Sequence, residues 1–366
     1  MGAGVTSETE ALLRLKRLPG FGDRKIMQLI RAHGSGIGAL RAVQAQGGLF
    51  DSTAKPHKPE TRRTAGIRAL PITSSGYPEL LRDLFDPPPL LFLKGREELL
   101  RGPAVAIVGA RRATEGGRVV AEAMGRILAG AGITVLSGMA LGIDGAAHRG
   151  ALEAGGNTIA VMGSGLEVVY PRSHRALFEA VGTHGLLLSE FLPEQEARPH
   201  HFPKRNRIIA ALARAIVVVE AGERSGALIT VDHGLDLGRD ILAVPGSLQN
   251  PRARGTNALI RDGARLLPSP AAILEEVPNL VEEAATLGRD GSPHLAAETE
   301  DSGFPTDVGL PPGLRPLWKA LETEPHHVDW IAGQARVDAG EALAGLSTLE
   351  LLGYASRCPG MRFRRG

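Results

Sequence analysis

Residues 198–230 have the sequence RPHHFPKRNRIIAALARAIVVVEAGERSGALIT. The stretch from 197 to 207 has no acidic side chain. Four basic residues lie in it: Arg198, Lys204, Arg205 and Arg207. Pro203 suits the first turn of a helix, where its missing N–H costs nothing. The residues that follow carry an apolar stripe, so a helix with a basic start is predicted here.

A buried strand and a second helix start follow this helix. Residues 216–219 form a continuous β-branched run, which is typical of a strand inside a parallel sheet. The strand stops at Gly222, and Ser225-Gly226 opens another helix with Ser225 as its N-cap. Helix N-termini offer free N–H groups and the positive end of a dipole, which attract phosphate oxygens. The stretch therefore predicts a site for a polyanion.

The rest of the chain has the same character between residues 69 and 277, where strands, glycine turns and helices alternate. Predicted strands lie at 105–108, 134–137, 159–162, 186–189, 216–220, 241–244 and 265–267. This alternation indicates right-handed crossovers and a parallel sheet covered on both faces. The fold class is therefore α/β with an extended Rossmann-like sheet. Ligands of such sheets bind beyond the carboxyl ends of the strands.

The turns at that edge hold the candidate site residues. Gly109 and then Arg111 and Arg112 follow the first strand, but neither a Gly-x-Gly-x-x-Gly sequence nor a P-loop sequence occurs. Arginine can hold a phosphate with two hydrogen bonds. Glycine turns after the next strands would let a ligand approach the backbone. The candidate contacts are Gly109, Arg111, Arg112, Gly138, Gly163, Gly165, Phe202, Lys204, Arg205, Asn206, Arg207, Ser225 and Gly226. The alternative is an ion-paired surface without a ligand.

Length and composition set limits on this reading. The 366 residues predict two or three domains, and a 43% apolar content suffices for a buried core. Net charge is only +2, and the single cysteine, Cys358, excludes an internal disulfide and a cysteine-rich zinc site. No signal peptide and no membrane-spanning run are visible. We expect a soluble, cytoplasmic protein that needs no metal or other cofactor.

Asp144 and His148 raise the alternative of catalysis. They are four residues apart on a predicted helix and share a face, as an acid and a base would. The structural interpretation, which we favour, has Asp144 capping the helix or orienting His148. The histidine pairs at 200–201 and 326–327 have no spaced carboxylate or cysteine partners, so metal binding is not expected.

The N-terminal part, residues 1–68, is predicted to be a small helical module. Two amphipathic helices are joined by Pro-Gly-Phe-Gly, which resembles a helix–hairpin–helix or SAM-like unit. Gly20 and Gly22 would then offer N–H groups to one DNA phosphate, with Arg24 and Lys25 assisting. The alternative is a hairpin that only packs against the next domain. Residues 47–63 are predicted to be a loop.

The C-terminal part begins with an acidic segment, 278–308, whose composition predicts a linker. Residues 309–366 contain three apolar stripes and a basic hairpin, which resemble a winged helix. The third helix, at 339–352, carries no lysine or arginine. Groove reading by that helix is therefore not expected, and docking of a protein is the other use of such a fold.

Several stretches together resemble the DNA-processing protein A (DprA/Smf) family over about 200 residues in consistent order. They are VAIVGAR (105–111), SGMALGIDGAAHRGAL (137–152), TIAVMGSGL (158–166), YP (170–171), FPKRNRIIA (202–210), SGALIT (225–230), GRD with AVPG (238–246) and NALIRDGA (257–264). Two positions depart from the family pattern: Leu141 replaces an arginine and His174 an asparagine, so one basic contact near the second turn is in doubt.

The resemblance implies an extended Rossmann-like domain that binds single-stranded DNA, forms a homodimer and helps to load the RecA recombinase in natural transformation. It implies phosphate contacts at Gly109, at Arg111 and in 202–207. A single-strand-binding protein is a further implied partner, and no membrane is. The rival function is a nucleotide phosphoribohydrolase on a similar sheet, but the Pro-Gly-Gly-x-Gly-Thr sequence of that class is missing.

The end of the predicted sheet favours the dimer independently. A short helix containing Asn257, Leu259 and Ile260 precedes the last strand, which includes Leu266. An unpaired edge strand is normally covered or paired. We therefore expect the twofold interface at these residues, unless their side chains face the core of their own domain.

Overall fold

The computed structural model describes residues 7–45, 66–289 and 310–365, without 312, 323, 353 and 359. The predicted loop at 47–63 and the later part of the predicted linker, from 290 to 308, lie outside these residues. None of the helices in the described ranges has both the length and the apolar content needed to cross a bilayer.

The N-terminal module contains three helices. They are α1 (Glu8–Arg17), α2 (Asp23–His33) and α3 (Gly36–Ala45). Ser7 caps α1 by accepting from the Glu10 N–H at 3.2 Å. Gly20 in the α1–α2 turn has φ 77°, a left-handed conformation that favours glycine. The first two helices match the sequence prediction, which did not identify α3.

In the described residues, nine strands form one sheet in the order β1-β2-β6-β5-β4-β3-β7-β8-β9. The strands are β1 (Arg68–Pro71), β2 (Leu90–Gly95), β3 (Ala104–Val108), β4 (Thr134–Ser137), β5 (Thr158–Val161), β6 (Leu186–Ser189), β7 (Ala215–Val218), β8 (Asp240–Ala243) and β9 (Arg265–Leu266). β3 to β9 run parallel, whereas β1 and β2 pair antiparallel at one end. The sheet is therefore mostly parallel, and the sequence prediction lacked β1 and β2.

Helices cover both faces of the sheet. They are α4 (Glu79–Arg82), α5 (Glu115–Gly130), α6 (Ile143–Glu153), α7 (Arg175–His184), α8 (His201–Leu212), α9 (Gly226–Asp236), α10 (Arg254–Arg261), α11 (Ile273–Glu276) and α12 (Pro278–Arg289). Short 3₁₀ turns lie at Glu97–Arg101, Arg172–His174 and Pro251–Ala253.

Alternate residues of β3 point to opposite faces of the sheet and pack into two different apolar clusters. Ala106 and Val108 pack with Ile208 of α8, and Val105 and Ile107 pack with α5. The N-terminal module packs on residues of β2, β5 and β6 in a third apolar cluster. Every β3 residue is buried, because helices cover this strand on both faces of the sheet.

Helix α12 corrects the predicted linker. Leu280 and Ala284, four residues apart on one face, are buried against the core that contains α5. Residues 278–289 therefore pack as part of the central domain, and the acidic composition of this segment lies on the other side of a helix. Composition alone could not show this, because two apolar side chains are enough to attach one face.

The C-terminal domain has the arrangement predicted for a winged helix. Its helices are α13 (Arg315–Ala320), α14 (Val328–Ala335) and α15 (Ala339–Leu351), and its strands are β10 (His326–His327), β11 (Ala355–Cys358) and β12 (Arg362–Arg365). The strands form a separate sheet in the order β10-β12-β11. Its core includes Ala123 of α5, so this domain packs against the central one. Cys358 is free.

Candidate nucleic-acid interface

The direction in which the chain winds along the sheet reverses beside β3. The strands after β3 continue outward through β4, β5 and β6, and the chain then crosses to β7 on the other side of β3. The loops after β3 and β7 therefore diverge and leave a crevice at the carboxyl edge, the usual ligand position in such sheets. The two loops are still joined at the base, where the Ala110 N–H donates to the Glu220 carbonyl at 2.7 Å.

A cavity of about 390 Å³ opens in this crevice. Its lining combines residues after β3 and β7 with the starts of α8 and α9. The predicted site residues among them are Gly109, Arg111, Phe202, Arg205, Asn206, Ser225 and Gly226. Gly138 and Gly163 line a smaller adjoining cavity of about 50 Å³, together with Arg111 and Phe202. Nine of the thirteen predicted site residues therefore line these two cavities. The other four do not: Arg112, Gly165, Lys204 and Arg207.

An arginine and two aromatic rings form the mouth of the cavity. The Arg111 guanidinium lies over the Phe202 ring, 4.9 Å from its centroid. The Tyr170 ring lies 5.3 Å from that of Phe202, at an interplanar angle of 39°, and Tyr170 is 41% exposed. Arg111 and Arg112 are both exposed. Rings and a cation at a surface can bind the two parts of a nucleotide, its base and its phosphate.

Arg205 differs from Arg111, because it is buried in the wall of the cavity. Its Nη1 donates to the Gly138 carbonyl at 2.8 Å and also to the Val161 carbonyl. Burial lowers the pKa of Arg205 to about 10, although the nearby Asp144 carboxylate opposes this shift. The guanidinium therefore joins the ends of β4 and β5 to α8.

Asp144 and His148 bond different groups. The Asp144 carboxylate accepts from the Gly138 N–H at 3.1 Å and the Ala140 N–H at 3.3 Å, and burial raises its pKa. His148 Nδ1 lies 2.7 Å from the Thr158 hydroxyl, which itself donates to a backbone carbonyl. Burial lowers the pKa of His148 to about 3. Asp144 fixes the loop before its helix, so its contacts are structural. It does not cap the helix, whose N-cap is Gly142, and it does not bond His148, so both predicted structural roles were wrong.

The second helix start is joined to α8 by an amide side chain. Asn206 Nδ2 donates to the Gly226 carbonyl at 3.1 Å, and its Oδ1 accepts from Arg205 Nε at 3.3 Å. Ser225 caps α9 by accepting from the Ala227 N–H at 3.4 Å. Open space surrounds the position of a Cβ on Gly226. Gly226 is therefore a point at which a ligand could approach the backbone.

The other glycines have neighbours within the chain. A Cβ on Gly138 would lie 2.3 Å from Arg205 Nη2, and one on Gly163 would lie 2.7 Å from the Phe202 ring. On Gly165 it would lie 2.0 Å from the Leu192 carbonyl, and on Gly109 2.7 Å from Ile143. These glycines make room for the side chains and loops that form the crevice, which explains them without a ligand.

Lys204 and Arg207 take part in a buried ion network. Lys204 Nζ lies 2.5 Å from Asp23 Oδ2 and 3.0 Å from Glu190 Oε2. Arg207 Nη2 lies 2.6 Å from Glu190 Oε2, and its Nε lies 3.3 Å from Asp86 Oδ1. Lys16 also pairs with Asp23. Three carboxylates thus balance the charges of α8, and the N-terminal module is attached to the central domain at the same point.

This network changes the expected role of the basic block. The sequence predicts that Lys204, Arg205 and Arg207 form one basic cluster that contacts the ligand. In the structure both arginines are buried and bonded within the chain. Lys204 keeps 35% of its side chain exposed. The pKa of Lys204 is raised, because Glu190 and Asp23 outweigh the burial that would lower it. The acidic partners come from distant parts of the chain, so no local pattern could have revealed them.

The remaining predicted site residues lie elsewhere on the surface. Gly20, Gly22, Arg24 and Lys25 are exposed in the hairpin next to Asp23. Asn257 is used internally, because its side-chain amide bonds the Gly246 N–H and carbonyl. Leu259 packs partly against its own core, Ile260 is partly exposed, and Leu266 is 45% exposed on the edge strand β9.

The chain matches two protein-family models. The family model for DNA recombination-mediator protein A matches residues 68–278, and a DprA winged helix domain matches residues 304–361. The chain belongs to the DNA recombination-mediator protein A family. The resemblance noted from the sequence stretches is thereby confirmed.

Individual DprA and Smf proteins agree with this assignment. Protein Smf of Synechocystis sp. is 35% identical over 317 residues, which cover 79% of this chain and 78% of that protein. DNA processing protein DprA of Bacillus subtilis is 42% identical over 217 residues, covering 59% and 73%. The solved DprA of Streptococcus pneumoniae has a TM-score of 0.64 at 33% identity, covering 74% of this chain and 98% of that one.

A second similar solved structure is that of a relative described as binding single-stranded DNA. DNA processing protein A from Helicobacter pylori, described for its single-stranded DNA binding mode, has a TM-score of 0.54 at 27% identity and covers 58% of this chain and 96% of its own. In the sequence, Tyr170 belongs to one of the stretches that resemble the family, but nothing there predicts it as a site residue. Its place beside Phe202 required the structure, because 32 residues separate the two rings.

Proposed function

We propose that the central domain binds single-stranded DNA in the crevice after β3 and β7 and performs no reaction on it. The observation that supports this most is the mouth of the cavity, where Arg111 lies over Phe202 and Tyr170 lies beside it. Unpaired bases stack on aromatic side chains, whereas bases inside a duplex are not accessible to them. The single-stranded DNA binding of the Helicobacter pylori relative supports the same ligand.

In this proposal the candidate residues have two kinds of role. Arg111 and Arg112, which are exposed, contact phosphates, while Phe202 and Tyr170 carry bases. Gly226 offers backbone that a strand can approach closely. Arg205 and Asn206 hold the wall of the cavity, because their polar atoms are bonded to backbone carbonyls. Lys204 adds a partly exposed positive charge next to Pro203, which lines the cavity.

An enzyme acting on nucleotides is the second candidate function. It rests on the same 390 Å³ cavity, which has Asp144 in its lining. Against it, the Asp144 carboxylate already accepts two backbone N–H groups. Incubation with nucleoside monophosphates decides between the two: the proposal requires that no base is released, and release that depends on Asp144 would contradict it.

Family membership supports a wider role for the domain. We infer that the protein takes part in natural transformation, protects incoming single strands and helps to load the RecA recombinase. A single-strand-binding protein is a further proposed partner. Co-sedimentation with RecA on a single strand, with Arg111→Ala as the variant that should lose the complex, tests this. Equal co-sedimentation of the variant and the wild type would contradict a DNA-dependent role.

We also propose a homodimer through α10 and β9, formed in part by Asn257, Leu259, Ile260 and Leu266. The support is that β9 is an edge of the sheet and that Leu266 is exposed on it. Leu266→Glu is the sharpest variant, because Leu259 also packs in its own core. Sedimentation should show a folded monomer. A folded variant with the mass of a wild-type dimer, or a wild-type monomer, would contradict the interface.

Phe202→Ala tests the stacking role. We expect a loss of about tenfold in affinity for oligo-dT, since base stacking contributes about 1–3 kcal/mol per base. A thermal melt accompanies the titration, because Phe202 also fills the space beside Gly163. Undiminished affinity of a folded Phe202→Ala variant would rule out stacking at this ring.

A further inference from the structure

Phe85 is an aromatic side chain in an unusual position. It lies between α4 and β2 and is 86% exposed, the same fraction as the most exposed leucine in the described residues, Leu248. An exposed ring is unremarkable alone, but a ring within a shaped, charged surface indicates a contact site. The Arg24 guanidinium lies over this ring, 5.4 Å from its centroid.

A second cation and ring lie in the same hairpin. Lys25 Nζ lies 4.0 Å from the centroid of the Phe21 ring. Within the described residues, neither Arg24 nor Lys25 forms a salt bridge, although both side chains are exposed. We call Phe21, Arg24, Lys25 and Phe85 the hairpin surface. Its pairs repeat the chemistry of Arg111 over Phe202 at the mouth of the cavity.

The buried ion network fixes the position of the hairpin surface. Asp23, directly before Arg24, binds Lys204, and Asp86, directly after Phe85, pairs with Arg207. Both basic residues are on α8, whose Pro203 lines the cavity. The two acids next to the hairpin surface are therefore occupied by α8, and the surface lies beside the start of the helix that forms the cavity wall.

We propose that the hairpin surface is a second contact for the single strand that the cavity binds, with a base on Phe85 and phosphates at Arg24 and Lys25. This inference rests on the proposed function of the cavity. The strand leaves the cavity past the partly exposed Lys204 and reaches the hairpin surface. Arg24 and Lys25, which form no salt bridge in the described part of the chain, and the two rings favour a polyanion with bases over a peptide.

Oligonucleotide length separates the two sites. An oligo-dT of roughly 6 nucleotides is of a length that one such site can hold, and one of roughly 30 nucleotides extends beyond it. Phe85→Ala combined with Arg24→Glu should leave the affinity for the short strand unchanged. For the long strand it should lower the affinity about tenfold, the loss expected for one stacked base and one phosphate contact.

Leu235→Ala is the matched control, because Leu235 is 60% exposed near the end of α9, whose beginning lines the cavity. It should bind both strands like the wild type. If the double variant also binds both like the wild type, the hairpin surface is not a contact, and the proposal for the cavity stands. If the wild type fails to bind either strand, the proposal for the cavity is wrong as well. Sedimentation must show the same oligomeric state for the wild type and every variant.

Phe85→Trp gives a direct readout at the site. The native tryptophans, Trp318 and Trp330, are both in the winged helix domain. The extra emission of the variant over the wild type should be quenched by the long strand and not by the short one. Extra emission that is unaffected by the long strand, or quenched instead by an acidic peptide, would overturn the assignment.

Discussion

Arg111 and Arg205 contribute to the same crevice with opposite roles. Arg111 is exposed at the mouth and lies over an aromatic ring, whereas Arg205 is buried and donates to two backbone carbonyls. In the sequence both belong to basic clusters that predict phosphate contacts. The difference teaches that charge in a sequence does not equal charge available to a ligand. Burial and distant partners decide which arginine can bind and which can only support.

The same contrast holds for Arg112 and Arg207. Arg112 is exposed, and Arg207 bonds the fully buried Glu190 at 2.6 Å. A buried charge must be paired, because removing it from water is costly. Burial raises the pKa of Glu190, and Arg207 and Lys204 oppose this rise. We therefore expect the two arginines to respond very differently to the same substitution.

Arg207→Ala should have the largest effect on stability. Among the described residues it leaves Glu190 buried with Lys204 as its one remaining ion-pair partner, and losing one member of a buried pair costs about 3–5 kcal/mol. Denaturant unfolding measures the change. Arg112→Ala is the control and should stay within about 0.5 kcal/mol of the wild type. Equal stability of the two variants would mean that the network does not hold α8.

A pair of glycines sharpens the comparison next. Gly138→Ala would place a Cβ 2.3 Å from the Arg205 guanidinium, whereas Gly226→Ala meets open space. Overpacking should destabilise the first by about 1–3 kcal/mol. The second should change the free energy of unfolding by no more than about 0.5 kcal/mol. If the two alanines cost the same, the packing of Arg205 under Gly138 is not a constraint.

His148 predicts a pH dependence of stability. Its folded pKa of about 3 lies below the ordinary value of 6.5, chiefly because it is buried. As the pH falls below about 6.5, the unfolded chain therefore binds a proton at His148 and the folded chain does not. Stability from this group is complete above that pH and is lost at about 1.4 kcal/mol per pH unit below it.

Unfolding by urea between pH about 7 and about 5 measures this slope, and His148→Gln removes the titrating group. In the variant, the dependence of the unfolding free energy on pH should be weaker by the contribution of about one proton, about 1.4 kcal/mol per pH unit, whatever its stability at neutral pH. Identical slopes in the variant and the wild type would show that His148 is not held neutral by the fold.

Much of the fold could be predicted from the sequence. The strands at 134–137 and 186–189 match β4 and β6, because short apolar runs between glycine turns have few other interpretations. β1 and β2 were not predicted, since their antiparallel pairing lacks the strand–helix alternation on which the prediction depended. The composition of residues 278–308 predicts a linker that includes α12, because the acidic, Ala-, Gly- and Pro-rich segment as a whole does not reveal that Leu280 and Ala284 attach one face of this helix.

For the site, local patterns predicted the place but not the role of each residue. Gly109, Arg111, Phe202 and Ser225 converge because parallel strands end at one edge. The ion network could not be predicted, because Asp23 and Lys204 are 181 residues apart and nothing near either indicates the other. Tyr170 was not predicted as a site residue for the same reason, because its partner ring, Phe202, is distant in the sequence. Sequence thus shows which loops meet, and long-range packing determines which side chains remain free.

The central claim, that Arg111 and not Arg205 meets phosphate, is tested most directly by the salt dependence of single-strand binding. The logarithm of affinity should fall linearly with the logarithm of salt concentration, because phosphate contacts release counterions. Arg111→Ala should bind more weakly at every salt concentration. The magnitude of its slope should be smaller by about 0.7, the contribution of one phosphate contact on a single strand. It should also melt like the wild type. A folded Arg111→Ala variant with the affinity and slope of the wild type would contradict the account.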